Sequence, residues 1–96
     1  MTPSFTVITT SHFERELRKL GKRHADLVAH YARVVETLEH DPYNRSRAHP
    51  IKKLENVAVG GGQYRIRLGR FRFRYDIEEK TVYLKLCSLR REDTYR

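Results

Sequence analysis

The chain has 96 residues, enough for one domain with one hydrophobic core and too few for two independent cores. Its 20 Lys and Arg residues outnumber 12 Asp and Glu residues, so the formal net charge is +8, which favours a polyanionic partner. A single cysteine, Cys87, excludes an internal disulfide and a zinc cluster of several thiolates. The N-terminal MTPSFTVITT lacks the features of a signal peptide, and no segment has the roughly 18 apolar residues of a membrane span. We therefore expect a cytoplasmic protein in which residues 1–96 form a single domain.

The N-terminal half of the sequence predicts one strand and two helices. Residues 4–9 are β-branched and aromatic, which is typical of a strand. Ser11 and Glu14 have the spacing of a capping box, which predicts the start of a helix that Gly21 would end. Apolar residues repeat at helical spacing again over residues 25–39. The short link between the two segments predicts an antiparallel helix hairpin.

The C-terminal half predicts three strands joined by tight turns. Residues 42–63 are irregular, with an IKKL segment that leads towards the sheet and a glycine triplet that predicts a flexible turn. Strands are predicted at residues 64–68, 71–77 and 81–89, in an antiparallel meander. The helix hairpin and the sheet each have one apolar side, and these sides should pack together. The predicted fold is α+β in two layers, with an N-terminal strand and helix hairpin packed on an antiparallel four-stranded sheet.

Alternation along the three strands predicts one apolar face and one strongly basic face. Phe71, Phe73 and Tyr75 share the apolar face, and arginines occupy the positions between them. In the last strand, alternation assigns Leu86 to the apolar face and Cys87 to the open face. The open face is predicted to carry the basic residues Arg65, Arg67, Arg72, Arg74 and Lys85.

A sheet face with several guanidinium groups indicates a site for an anion. Like charges on neighbouring strands repel, and a guanidinium makes two parallel hydrogen bonds to a phosphate. Tyr83 and Tyr95 add stacking surfaces for unpaired bases. A solvated face whose twist separates the charges is the alternative interpretation. The five histidines show no metal-ligand spacing and Cys87 has no nearby base, so neither a metal site nor a thiol nucleophile is predicted.

The final third of the chain, YRIRLGRFRFRYDIEEKTVYLKLCSLRREDTY, resembles the RelE/ParE superfamily of type II toxin–antitoxin toxins, and within it the RelE-like branch. The most specific parts are the aromatic-R-I-R-L strand, the G-x-F-R-x-x-Y strand and the terminal R-x-x-x-Y, which occur in family order. The resemblance implies an endoribonuclease that cleaves messenger RNA on the ribosome through attack by the RNA's own 2′-hydroxyl. It also implies an acidic, RelB-like antitoxin as partner, and neither a metal nor a cofactor.

The resemblance further implies the residues of the site. The positions that match the catalytic residues of RelE-type enzymes are Arg65, Arg67, Arg72, Arg91 (or its neighbour Arg90) and Tyr95. The expected RNA-binding residues are Lys52, Lys53, Arg74, Lys85 and Arg90. RelE itself has lysines at the first two catalytic positions, whereas arginine stays protonated and is a poor general base. Glu55, His49 and Tyr95 all remain candidates for the base.

Two other functions fit the same fold. A ParE-like toxin would inhibit DNA gyrase without nuclease chemistry, and a degenerate family member would only bind its antitoxin or nucleic acid. A gyrase inhibitor has no need for arginines at the scissile-phosphate positions together with a terminal tyrosine. The presence of this set favours the nuclease.

Overall fold

A five-stranded sheet packed against two helices makes up residues 4–89, the part of the chain that the computed structural model describes. The elements are β1 (Thr6–Thr9), α1 (Ser11–Arg23), α2 (Leu27–His40), β2 (Ile51–Lys53), β3 (Tyr64–Leu68), β4 (Phe71–Glu78) and β5 (Thr81–Leu89). The strand order is β1-β5-β4-β3-β2. Strands β2 to β5 pair antiparallel, whereas β1 runs parallel to β5. The predicted two-layer α+β class is confirmed.

The sheet has five strands where the sequence predicted four. Residues 51–53 of the IKKL segment form the edge strand β2, because Ile51 pairs with the buried Ile66 of β3 and continues its apolar row. The N-terminal strand joins the same sheet beside β5, with Thr6 opposite Thr81. Neither pairing could be assigned from the period of a three-residue or four-residue segment alone.

Helix α1 begins one residue earlier than predicted. Thr10, and not Ser11, is the N-cap, and its hydroxyl accepts a hydrogen bond from the Phe13 amide at 3.1 Å. The helix continues through Gly21 to Arg23, and the His24 amide donates to the Leu20 carbonyl to close it. The glycine therefore does not end the helix. These extra residues bring Arg23 onto the same helix as Lys19.

The core lies between the helices and the apolar face of the sheet. Phe13 of α1 packs against Tyr31 of α2 and Phe73 of β4, with ring centroids 5.9 and 6.4 Å apart. Tyr75 is fully buried, and its hydroxyl donates to the Pro42 carbonyl at 2.7 Å. Burial raises the pKa of Tyr75, so this hydroxyl keeps its proton. The bond ties the loop after α2 to the centre of the sheet.

A β-bulge at Lys85 reverses the expected alternation in the last half of β5. Tyr75 lies opposite Leu84, but Arg74 lies opposite Leu86, so Lys85 is an extra residue in the ladder. Cys87 is therefore in the core, 2% exposed, and Leu86 is on the open face. The predicted placement of Leu86 and Cys87 was wrong, because a strict period of two cannot anticipate an inserted residue.

The position of Cys87 leads to a prediction about its reactivity. Burial, helped by the nearby Glu16 carboxylate, raises the pKa of the thiol to about 12, so almost no thiolate exists at pH 8. We expect a disulfide reagent such as DTNB to label the native protein at least about 100-fold more slowly than the urea-unfolded chain. Fast stoichiometric labelling of the folded protein would contradict the buried placement.

Candidate nucleic-acid interface

Arginines from two neighbouring strands lie side by side on the sheet face that points away from the helices. Arg65 lies opposite Arg74 across β3 and β4, and Arg67 lies opposite Arg72. Lys52 of β2 is next to Arg65 in the same row. We call this set the arginine surface: Lys52, Arg65, Arg67, Arg72 and Arg74. Facing residues of an antiparallel pair have Cβ atoms roughly 5 Å apart, so the surface concentrates positive charge over a small area.

Arg67 and Arg72 form the part of this surface best suited to bind an anion. Within residues 4–89, neither side chain takes part in an ion pair. The Nε atom of Arg72 is buried and has no hydrogen-bond partner among those residues. A buried donor without an acceptor and two facing like charges are both unfavourable. An anion bound by the two guanidinium groups would relieve the repulsion between them.

Arg74 has a different task, because it anchors the glycine loop. Its Nε donates to the Gly62 carbonyl at 3.0 Å and its Nη2 donates to the Gly61 carbonyl at 2.9 Å. Asp76, which is 6% exposed, accepts from the Gly62 and Gln63 amides, each at 3.0 Å. Two of the three glycines, Gly61 and Gly62, are thus hydrogen-bonded to β4, which anchors the predicted turn to the sheet. With two guanidinium nitrogens already bonded, a direct RNA contact by Arg74 stays a prediction.

The glycine loop needs glycine where it passes Arg74. Gly62 has a φ of +83°, and a Cβ atom on it would lie 3.0 Å from the Cβ of Arg74. A side chain at this position would strain the backbone and collide with the strand below. The loop can therefore approach the sheet closely only as glycine, and it borders the arginine surface on that side.

The two lysines of β2 point to opposite faces of the sheet, and the RNA contact expected of each stays a prediction. Lys52 lies on the arginine surface next to Arg65. Lys53 lies opposite Tyr64, and its Nζ is 5.7 Å from the centroid of that ring on the other face. Adjacent residues of a strand alternate in direction, so only one of the two lysines lies on the arginine surface.

The other two predicted RNA-binding residues are Lys85, at the bulge in β5, and Arg90, which follows β5 in the sequence. Lys85 lines a cavity of about 310 Å³ together with Gly60, Gly61 and His12, beside the arginine surface. Three predicted site residues lie outside the described residues: Arg90, Arg91 and Tyr95.

Of the three candidate bases, two lie within the described residues, and each occupies a loop. Glu55 is exposed in the turn after β2. The His49 Nε2 lies 3.6 Å from a carboxylate oxygen of Asp41. Burial by itself would raise the pKa of Asp41, but hydrogen bonds from Ser46 and from the Arg45 amide, with the His49 charge, lower it overall. His49 thus faces a carboxylate of its own loop.

A groove between α1 and the outer edge of β5 extends the basic area beyond the sheet. Its volume is about 430 Å³, and its lining includes Glu16, Lys19 and Arg23 of α1. Arg72 also lines it, so the groove adjoins the arginine surface. The Cys87 amide at this strand edge donates to Glu16 Oε1 at 3.0 Å. We call this region the α1–β5 groove.

Sequence reasoning missed Lys19 and Arg23. Both belong to a helix that also carries cations at positions 15, 18 and 22, and spacing alone does not separate a lining side chain from a solvated one. The only signal was their separation of four residues, which puts them on one side of the helix.

Residues 4–89 contain no group of three or more His, Cys, Asp and Glu side chains that could hold a metal ion. No helix in that range has the length and apolar character needed to cross a membrane.

This chain is similar to chains of solved toxin–antitoxin complexes. The toxin–antitoxin complex RelBE2 from Mycobacterium tuberculosis contains a chain with a TM-score of 0.69 and 27% identity, over 94% of both chains. The archaeal RelE–RelB complex from Pyrococcus horikoshii gives a TM-score of 0.63 and 26% identity, over 93% of this chain and 98% of the other. No protein-family model matches the sequence, and a search of curated proteins found no relative.

Proposed function

The chain is a member of the RelE-like toxin superfamily, and from this premise we propose that it is the toxin of a type II toxin–antitoxin system that cleaves messenger RNA on the ribosome. The observation that carries the proposal is the pair Arg67 and Arg72. They face each other across β3 and β4, and Arg72 Nε has no acceptor within residues 4–89. Two guanidinium groups in this arrangement suit the negative charge of a phosphate in a transition state.

The proposed reaction uses the RNA's own 2′-hydroxyl as nucleophile. Once this hydroxyl loses its proton, its oxygen attacks the adjacent phosphorus, and the bond from phosphorus to the 5′-oxygen breaks. The products are a 2′,3′-cyclic phosphate and a 5′-hydroxyl, whose oxygen takes up a proton. Arg67 and Arg72 would donate hydrogen bonds to the non-bridging oxygens as negative charge builds on them. Arg65 lies two residues before Arg67 on β3 and would bind the RNA backbone next to the scissile phosphate.

The proton transfers require residues other than these arginines. An arginine side chain stays protonated, so it stabilises the phosphorane without acting as base. Tyr95, Glu55 and His49 remain the proposed candidates for the base, and Arg91 and Tyr95 keep their proposed catalytic roles. Metal-independent cleavage and action in the cytoplasm are parts of the same proposal.

The proposed protein partner is an acidic antitoxin of the RelB kind. The two similar structures are complexes named for RelE-type and RelB-type proteins. The net charge of +8 complements both an acidic protein and RNA, so charge supports each partner equally.

Induction of the protein in cells, followed by mapping of messenger RNA 5′ ends, tests the proposal. We expect new 5′ ends inside translated codons with the wild type and none with Arg72→Ala. Arg33→Ala removes an exposed cation from α2, away from the sheet, and should cut as the wild type does. Growth arrest with intact messenger RNA and DNA-damage signalling would favour a gyrase inhibitor instead. Normal growth would favour a degenerate binder.

A further inference from the structure

We infer that the RNA strand bound on the arginine surface continues into the α1–β5 groove, where Lys19 and Arg23 contact its phosphates. This inference rests on the proposed function and extends its substrate-binding site from the sheet to helix α1. Both side chains line the groove and are exposed to solvent.

The groove is continuous with the arginine surface through one residue. Arg72 lies opposite Arg67 on the sheet and also lines the groove. Ser88, its partner on β5, lines the groove as well and is exposed. An RNA strand that leaves the proposed scissile phosphate at Arg72 on the β5 side would therefore enter the α1–β5 groove.

The charges of the groove favour a polyanion. Lys19, Arg23 and Arg72 supply three cations, against the one carboxylate of Glu16. That carboxylate is already bonded, because Oε1 accepts from the Cys87 amide at 3.0 Å and Oε2 lies 3.3 Å from His12 Nε2. Lys19 and Arg23 are four residues apart, so they follow each other about 6 Å along the helix axis.

The strand edge of the groove favours RNA over an extended peptide. Leu20 and Leu89 are the two leucines of the lining, and the remaining lining residues are polar or charged apart from Cys87. A peptide that added a strand to β5 would need the outward-pointing amide of Cys87. The Glu16 carboxylate already accepts the hydrogen bond from that amide, so strand addition would first have to break a charge-assisted hydrogen bond.

The test compares two double variants of the same helix. Lys19→Ala with Arg23→Ala removes the two groove cations, and Arg15→Ala with Arg18→Ala removes two exposed cations that do not line the groove. Both lose the same charge, so the comparison isolates position from net charge. Cleavage of messenger RNA on programmed ribosomes is measured against ribosome concentration. We expect KM to rise about tenfold for the groove variant with kcat nearly unchanged, and its KM to depend less on salt. The control should stay within about twofold of wild type.

Three results would overturn the inference. Equal changes in KM for both double variants would show that net charge alone matters. An unchanged KM in the groove variant, while the wild type cleaves, would reject the groove and leave the proposed function intact. An unchanged KM with weaker binding of an acidic antitoxin would assign the groove to a protein. A wild type that cleaves no RNA would instead reject the proposed function itself.

Discussion

Arg72→Ala should lower the rate of messenger RNA cleavage by about 100-fold or more and leave the folded protein at least as stable as the wild type. The rate falls because Arg72 would donate to the phosphorane oxygens, a contact that exists only during the reaction. Stability is kept because the substitution removes repulsion from Arg67 and a buried Nε that has no partner within residues 4–89. Single-turnover cleavage on programmed ribosomes and urea unfolding together measure the two effects.

Arg74→Ala provides the matched control on the same strand. Its guanidinium is bonded to the Gly61 and Gly62 carbonyls, so its loss should reduce the free energy of unfolding by about 1–2 kcal/mol. The cleavage rate should fall less than with Arg72→Ala. If Arg72→Ala were the more destabilising of the two, Arg72 would be a structural residue and the catalytic assignment would fail.

Asp76→Ala is expected to have a large effect on stability. The carboxylate is 6% exposed and accepts two backbone amides of the glycine loop, Gly62 and Gln63, at 3.0 Å each. Its removal leaves both donors without an acceptor, and we expect the free energy of unfolding to fall by about 2–4 kcal/mol. Urea unfolding at neutral pH measures this change. Without these two hydrogen bonds, the Gly62 and Gln63 amides should also exchange their hydrogens faster.

Glu78→Ala is the control for this second prediction. Glu78 lies two residues further along β4 but is exposed, so its replacement should change the free energy of unfolding by no more than about 0.5 kcal/mol. Equal stability of Asp76→Ala and Glu78→Ala would mean that the glycine loop does not depend on the buried carboxylate.

Alternation predicted the arginine surface well because side chains alternate strictly between the two faces throughout β3 and β4. Arg65 and Arg67 on β3 and Arg72 and Arg74 on β4 are on one face, as expected. The same rule failed in β5, where the bulge at Lys85 moved Cys87 into the core. A bulge is fixed by tertiary packing and leaves no mark in the pattern of polar and apolar residues.

The roles of individual cations were harder to predict than their positions. Arg74 was expected to bind RNA, which stays a prediction, but pattern alone could not show that its Nε and Nη2 donate to the Gly62 and Gly61 carbonyls. Lys19 and Arg23 were not selected at all, since only the packing of α1 beside β5 distinguishes them from other cations of the helix. Sequence periodicity assigns a face to each side chain, whereas its partners depend on segments distant in the chain.

The chemical ends of the cleaved RNA show most directly whether the 2′-hydroxyl is the nucleophile and whether Arg72 is needed for the cut. Programmed ribosomes are treated with the purified protein, and the termini of the fragments are identified. We expect a 2′,3′-cyclic phosphate on the upstream fragment and a 5′-hydroxyl on the downstream fragment, both lost with Arg72→Ala. Fragments with a 3′-hydroxyl and a 5′-phosphate would contradict it, because a water molecule and not the 2′-hydroxyl would then be the nucleophile.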